Sequence, residues 1–161
     1  MAVIKIITIT DKQHAEYQQL VSRYTSKKRF EAVLAQDLNL YVKSIYGFTL
    51  GYQKNDQLCA ALTFSVSENE ISNKSVGEIS RMYIPQSVQI ATAGRRLLNA
   101  MLTIIKEDFP EIRGIILKTP ANEPAFKKLY SGFGFIESEP FNSEGLNSSG
   151  FVNMQISLIN T

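Results

Sequence analysis

The sequence predicts a mixed α/β fold, a single domain over residues 1–161, on three observations. Short β-branched or apolar runs alternate along the chain with stretches whose apolar residues recur at helical spacing. Their order reads strand, helix, helix, three strands, helix, strand, helix, two strands, with no internal repeat and no linker to divide it. The 161 residues, 44% of them hydrophobic, suffice for one well-buried core and are too few for two of ordinary size.

Val3 to Ile9 is a short apolar run rich in β-branched residues, as a buried strand is. Thr10 closes it, and Thr10 with Gln13 forms a capping-box pattern ahead of Tyr17, Leu20, Val21 and Tyr24, which predicts a first helix to about Tyr24. A polar, basic connection from Ser22 to Arg29 leads to Phe30, Val33, Leu34, Leu38 and Tyr41, whose spacing suggests a second helix. Phe48 to Gln53, a Lys54-Asn55-Asp56 turn and Gln57 to Val66 read as a hairpin, and Ser67 to Ser75 as a polar loop.

Next comes a strand over Glu78 to Ile84, then a helix whose Leu97, Leu98, Met101, Leu102 and Ile105 share a face before Pro110 stops it. Arg113 to Thr119 is another apolar strand. The Asn122 segment forms a helix broken near Gly132 and Gly134, and Phe135 to Glu137 returns to extended chain. Glu139 to Gly150 is a surface loop. The last strand alternates, with Val152, Met154, Ile156 and Leu158 on one face and Asn153, Gln155 and Ser157 on the other, which predicts a half-exposed strand.

Composition excludes several classes. A formal charge of +2, spread along the chain, is no footprint of a dedicated nucleic-acid binder. The single Cys59 excludes an intrachain disulfide framework, and no run of His, Cys and carboxylates has zinc-site spacing. No apolar run is long enough to span a bilayer, and the N-terminus lacks a charged-then-apolar signal pattern, so a cytoplasmic protein is expected.

The chemistry-bearing stretch is Glu78-Ile-Ser-Arg-Met-Tyr-Ile84-Pro85 followed by Gln89-Ile-Ala-Thr-Ala-Gly94-Arg95-Arg96. It reads as a strand feeding a small-residue turn and a helix, an arrangement that binds phosphate. The first N–H groups of a helix are free, its dipole there favours negative charge, and Ala91, Ala93 and Gly94 leave room for an anion at the backbone. Arg95 and Arg96 add positive charge.

This stretch resembles the acyl-CoA pyrophosphate loop of the GNAT superfamily of N-acetyltransferases, Gln/Arg-x-x-Gly-x-Gly/Ala after a strand. The chain offers Gln89-x-x-Thr92-x-Gly94, with Thr92 where the family usually has its first glycine. Downstream, Asn122-Glu-Pro-Ala125-Phe126-Lys-Lys-Leu129-Tyr130-Ser-Gly-Phe-Gly134-Phe135 is similar to the family's Asn-x-x-Ala-x-x-x-Tyr-x-x-x-Gly-Phe segment. The resemblance covers roughly residues 77 to 136. It implies a central mixed, mostly antiparallel sheet flanked by helices, with acetyl-CoA as co-substrate and a primary amine of a small molecule or protein as acceptor.

The resemblance also carries over site residues. The backbone of Met82, Tyr83 and Ile84 would engage the pantetheine arm, Gln89, Ile90, Ala91, Thr92, Ala93, Gly94 and Arg95 the pyrophosphate, and Asn122 the pantetheine amides, unless Asn122 only caps its helix. Glu78, eleven positions before Gln89, falls where some members place a general base, and partial burial would poise its carboxylate for that work. Its plainer reading is an ion pair with Arg81, although alternation puts the two on opposite faces unless a bulge intervenes. Tyr130 matches the tyrosine that many members use as general acid toward the CoA sulfur; otherwise it is a core tyrosine.

His14 reads as a surface helix residue, Cys59 as a small buried hydrophobe, and Lys27, Lys28 and Arg29 as a solvated loop. The fold would build its acceptor side from about residues 11 to 45 and 139 to 150, where Phe30, Tyr41, Tyr46 and Phe141 could line a slot or belong to the core. Dimers are common in the family, and the edge of the last strand offers a pairing surface. Two other readings stay open. Glu78-Ile-Ser-Arg81 is similar to the Glu-x-x-Arg strand of acyl-homoserine-lactone and acyl-amino-acid synthases, and Thr92 in the loop fits a non-catalytic CoA-binding regulatory protein.

Overall fold

The computed structural model describes residues 3–10, 14–22, 47–66, 76–84, 88–121, 124–138 and 151–158. Seven strands form one sheet: β1 (Ile4–Thr8), β2 (Gly47–Lys54), β3 (Gln57–Val66), β4 (Val76–Tyr83), β5 (Gly114–Pro120), β6 (Ile136–Glu137) and β7 (Phe151–Ser157), in the spatial order β1-β2-β3-β4-β5-β7-β6. Only β4 and β5 run parallel; the other neighbours are antiparallel. Three helices accompany it among the described residues: α1 (His14–Ser22), α2 (Ile90–Asp108) and α3 (Pro124–Gly132). The expected second helix around Phe30 to Tyr41 and the loops at 67–75 and 139–150 lie outside the described residues.

Local chemistry explains the turns and helix ends. The β2–β3 hairpin closes on Asn55 and Asp56, both at positive φ (52° and 65°), the two-residue turn whose twist suits antiparallel strands and whose residue types tolerate that conformation. α2 ends where Phe109 N–H donates to Ile105 O at 2.8 Å, one residue before Pro110. α3 begins on Pro124, which has no N–H to leave unsatisfied. It ends with Gly134 at φ 102°, the Gly134 N–H on Ser131 O (3.0 Å) and the Phe135 N–H on Tyr130 O (3.1 Å). That pair of bonds needs a left-handed residue between them, which glycine supplies without strain.

The two faces of the sheet differ. One carries Phe48, Leu50, Leu62, Phe64, Ile79, Leu117 and Met154 and is sealed by Ala93, Leu97, Leu98, Met101 and Ile105 of α2 and Leu129 and Tyr130 of α3. Gly77 is small because a Cβ there would collide with the Phe64 ring. At one end of the opposite face, Tyr17 and Leu20 of α1 pack on Ile9, Leu58, Ala61 and Tyr83, and Glu16 Oε2 accepts the Leu58 N–H at 2.6 Å. Farther along, that face turns polar.

The edge expected for pairing is not free. β7 lies inside the sheet between β5 and β6, with Ile136 opposite Gln155 and Glu137 opposite Met154, and the Ser138 N–H bonds Asn153 O at 2.9 Å. The return of the chain after Gly134 lays this short strand along β7, held also by an ion pair between Lys127 and Glu137. Asn153, expected on a solvent face, is buried.

Candidate active site

The site starts from a register shift. Thr63 of β3 stands opposite Arg81 and Phe64 opposite Ile79, so Ser80 is an extra residue, a β-bulge in β4. Before the bulge, Glu78 and Ser80 point to the polar face and Ile79 to the core. After it, Arg81 and Tyr83 take the polar face and Met82 the core. The bulge therefore places Glu78 and Arg81 on one face, where strict alternation would have separated them.

The bulge also marks where β4 leaves β5. The parallel ladder pairs Val76 to Ile79 with Gly114 to Leu117 and goes no farther, although β4 runs on to Tyr83 and β5 to Pro120. Met82 and Tyr83 keep their β3 partners, Leu62 and Ala61. Their other edge, toward β5, has no ladder among the described residues. An opening between two strands of a sheet offers N–H and C=O groups to an extended ligand, as another strand would.

Six residues past Ile84, α2 begins. Gln89 is its N-cap residue with extended backbone, accepting the N–H groups of Thr92 (3.2 Å) and Ala93 (3.0 Å) on its carbonyl. The Thr92 hydroxyl, where a glycine was the family's usual choice, donates to Gln89 Oε1 at 3.1 Å. The small residues divide in two. Ala91 and Thr92 are exposed at the helix start, whereas Ala93 and Gly94 are buried, and a Cβ on Gly94 would collide with the Leu129 side chain. Gly94 thus lets α3 lie close against α2. Between those helices a groove of about 910 Å³ runs from Ile90, Ala91 and Thr92 past Arg95 and Arg96 to Lys128 and Phe133.

Glu78 has one flank exposed, yet its carboxyl is crowded enough that burial pushes its pKa above the ordinary glutamate value, against the lowering pull of Lys118 and Arg81. Beside it, Ser65 pairs with Glu78 across the ladder, and the Ser65 and Ser80 hydroxyls share a 2.7 Å hydrogen bond. Lys118 stands on the same face of β5, two residues past Ile116, the partner of Glu78. Neither the serine pair nor Lys118 was singled out from sequence. Lys118 had a signal, since it is the only charge within the apolar strand Gly114–Pro120.

Tyr130 lies on the other side of the sheet, 3% exposed, stacked on Phe126 (ring centroids 6.4 Å apart) and edge-on to Phe135 (5.6 Å). Burial pushes its phenol well above the ordinary tyrosine value, so it stays protonated throughout the neutral range. Asn122 and the slot candidates Phe30, Tyr41, Tyr46 and Phe141 lie outside the described residues.

Structural comparison shows that this is the GNAT fold: neighbours matching across the full chain are GNAT-family N-acetyltransferases. The PaiA N-acetyltransferase from Thermoplasma acidophilum, solved in complex with coenzyme A, superposes with TM-score 0.72 at 15% identity over 96% of this chain and 99% of its own. A GNAT-family acetyltransferase from Streptococcus pneumoniae gives 0.73 at 14% identity, covering 98% of this chain and 100% of its own. The ribosomal-protein-S18-alanine N-acetyltransferase from Escherichia coli gives 0.70 at 14% identity, covering 99% and 96%. No protein-family model and no curated protein sequence matches the chain.

Proposed function

We propose that this protein is an acetyl-CoA-dependent N-acetyltransferase that moves an acetyl group to a primary amine of a small molecule or protein by direct attack on the thioester. The observation that carries the reading is the opening between β4 and β5, which begins at the Ser80 bulge and leads to the N-terminus of α2. Support comes from the fold and from the neighbour solved with coenzyme A.

Each part of an acyl-CoA has residues here that would hold it. The exposed Ala91 and Thr92 at the start of α2 leave its first N–H groups open to a pyrophosphate, and Arg95, Arg96 and Lys128 line the adjoining groove for the remaining phosphate charge. The backbone from Met82 to Ile84, past the end of the β4–β5 ladder, would hold the pantetheine amides.

The opening joins two faces with different chemistry. On the polar face Glu78, with its raised pKa, takes one proton from the acceptor nitrogen, directly or through a water, as that nitrogen bonds to the acetyl carbonyl carbon. On the core face Tyr130, held protonated, gives a proton to sulfur as the carbon–sulfur bond breaks. The products are an N-acetylated amine and CoA with a free thiol; Tyr130 recovers its proton from solvent and Glu78 returns one.

A thiol-release assay with acetyl-CoA and a panel of amines tests this. Transfer that Tyr130→Phe lowers by roughly 10²- to 10⁴-fold, with CoA affinity kept, supports it. An unchanged rate in that variant sinks the acid assignment, and absence of transfer to any amine sinks the enzyme reading.

A further inference from the structure

Resting on that reading, the polar face suggests what kind of amine is taken. Its charges are mixed and ordered across the strands. Glu78 is on β4 at the start of the opening, Lys118 is on the adjacent strand β5, and Asn153 of β7 pairs with Lys118 in the ladder. Directly paired residues on one face hold their Cβ atoms about 4.5–5.5 Å apart, so the Lys118 stem and the Asn153 amide rise side by side.

No ion pair holds the Lys118 ammonium among the described residues, and the residue is exposed. Asn153 is 8% exposed, and its Oδ1 is buried without a hydrogen-bond partner. Turned by half, the same amide presents its NH2 group, and an ammonium beside an amide NH2 is a cradle for a carboxylate. Lys118 lies one strand over and two residues along from Glu78, roughly 8 Å by strand geometry, a gap its long side chain can narrow to the span of an amino acid.

We infer that the acceptor is a free amino acid, or an equivalent small zwitterion, with its amine at Glu78 and its carboxylate at Lys118 and Asn153. Such a molecule brings a charge of each sign to a face that offers a charge of each sign. A protein N-terminus brings an amine followed by an amide, and a polyamine brings only positive charge. Holding the acceptor in this way adds no bond-making step to the transfer.

The test compares thiol release from acetyl-CoA with the free amino acids, with their carboxamides and with the matching decarboxylated amines, in the wild type and in Lys118→Met. At least one amino acid should exceed its own carboxamide by about five- to tenfold or more in kcat/KM. Lys118→Met should raise KM for that amino acid by a similar factor and erase the preference, leaving CoA affinity unchanged. Loss of the lysine also removes a cation near Glu78, but that change acts equally on both acceptors, so their ratio isolates the carboxylate contact. CoA binding with transfer that favours carboxamides or simple amines, or with no transfer to any amino acid, overturns this inference and leaves the CoA site standing. Absence of CoA binding overturns the underlying reading and this one together.

Discussion

On the face beneath α2 and α3, Leu62 and Phe64 of β3 and Leu117 of β5 are at most 1% exposed and Ile79 of β4 5%, whereas on the opposite face the same strands carry Ser65, Glu78 and Lys118. Strand alternation alone gives each strand two faces. What separates their duties is that the first face is closed by helices over most of its width, while on the second, among the described residues, α1 covers the end near Tyr83 and Ala61. Burial on the first supplies stability; partial burial on the second supplies a carboxylate with a raised pKa. The bulge at Ser80 is where the two meet, because it changes which residues face each way just as β4 leaves β5.

Removing the Glu78 carboxylate from the polar face should cost chemistry and not stability, and truncating an aliphatic side chain of the core face should cost stability and not chemistry. The largest effect belongs to Glu78→Gln, which should cut turnover by roughly 10²- to 10⁴-fold in the thiol-release assay while the melting temperature holds or rises. The sign of the second part follows from linkage. A carboxyl whose pKa is raised by folding binds more protons folded than unfolded, so its contribution to stability falls as pH climbs from its ordinary value through the folded one. Removing the charge removes that penalty.

Leu97→Ala is the mirror case. Leu97 is fully buried in α2, so truncation should cost about 2–5 kcal/mol in denaturant unfolding, with turnover per folded molecule preserved. Gly94→Val is the bridge between the two. It drives a side chain into Leu129, costs roughly 1–3 kcal/mol, and should weaken CoA binding only through displacement of α3 from α2. Thr49→Val is comparable: it leaves the buried Thr63 hydroxyl without its 2.9 Å partner, at about 1–3 kcal/mol, and unfolding curves would read it against wild type. Finally, kcat/KM should rise with pH along a limb lying above the ordinary glutamate range, and Glu78→Gln should flatten that limb.

Periodicity and turn chemistry made the apolar face legible in the sequence. The strand runs, the row of Leu97, Leu98, Met101 and Ile105 and the Asn55-Asp56 turn all follow from patterns that span a few residues, and the structure has each. The polar face was legible only in part. Glu78 came from its spacing to Gln89, but its company did not, since Ser65, Lys118 and Asn153 reach it by cross-strand register, which no local pattern encodes. The bulge that turns Arg81 toward Glu78 is of the same kind. The misplaced edge of β7 shows the limit from the other side: the chain's last strand is interior because Gly134 turns residues 136–137 back along it.

The chemistry of the polar face requires that an acyl-CoA reach the opening from the start of α2. Calorimetric titration of the purified protein with acetyl-CoA, free CoA and longer acyl-CoAs tests that most directly. The account predicts saturable one-to-one binding that favours the acetyl donor over the longer ones and is weakened in Arg95→Glu. No heat and no saturation with any of these ligands would contradict it, and would mean that the Thr92–Gln89 contact closes the helix start to phosphate.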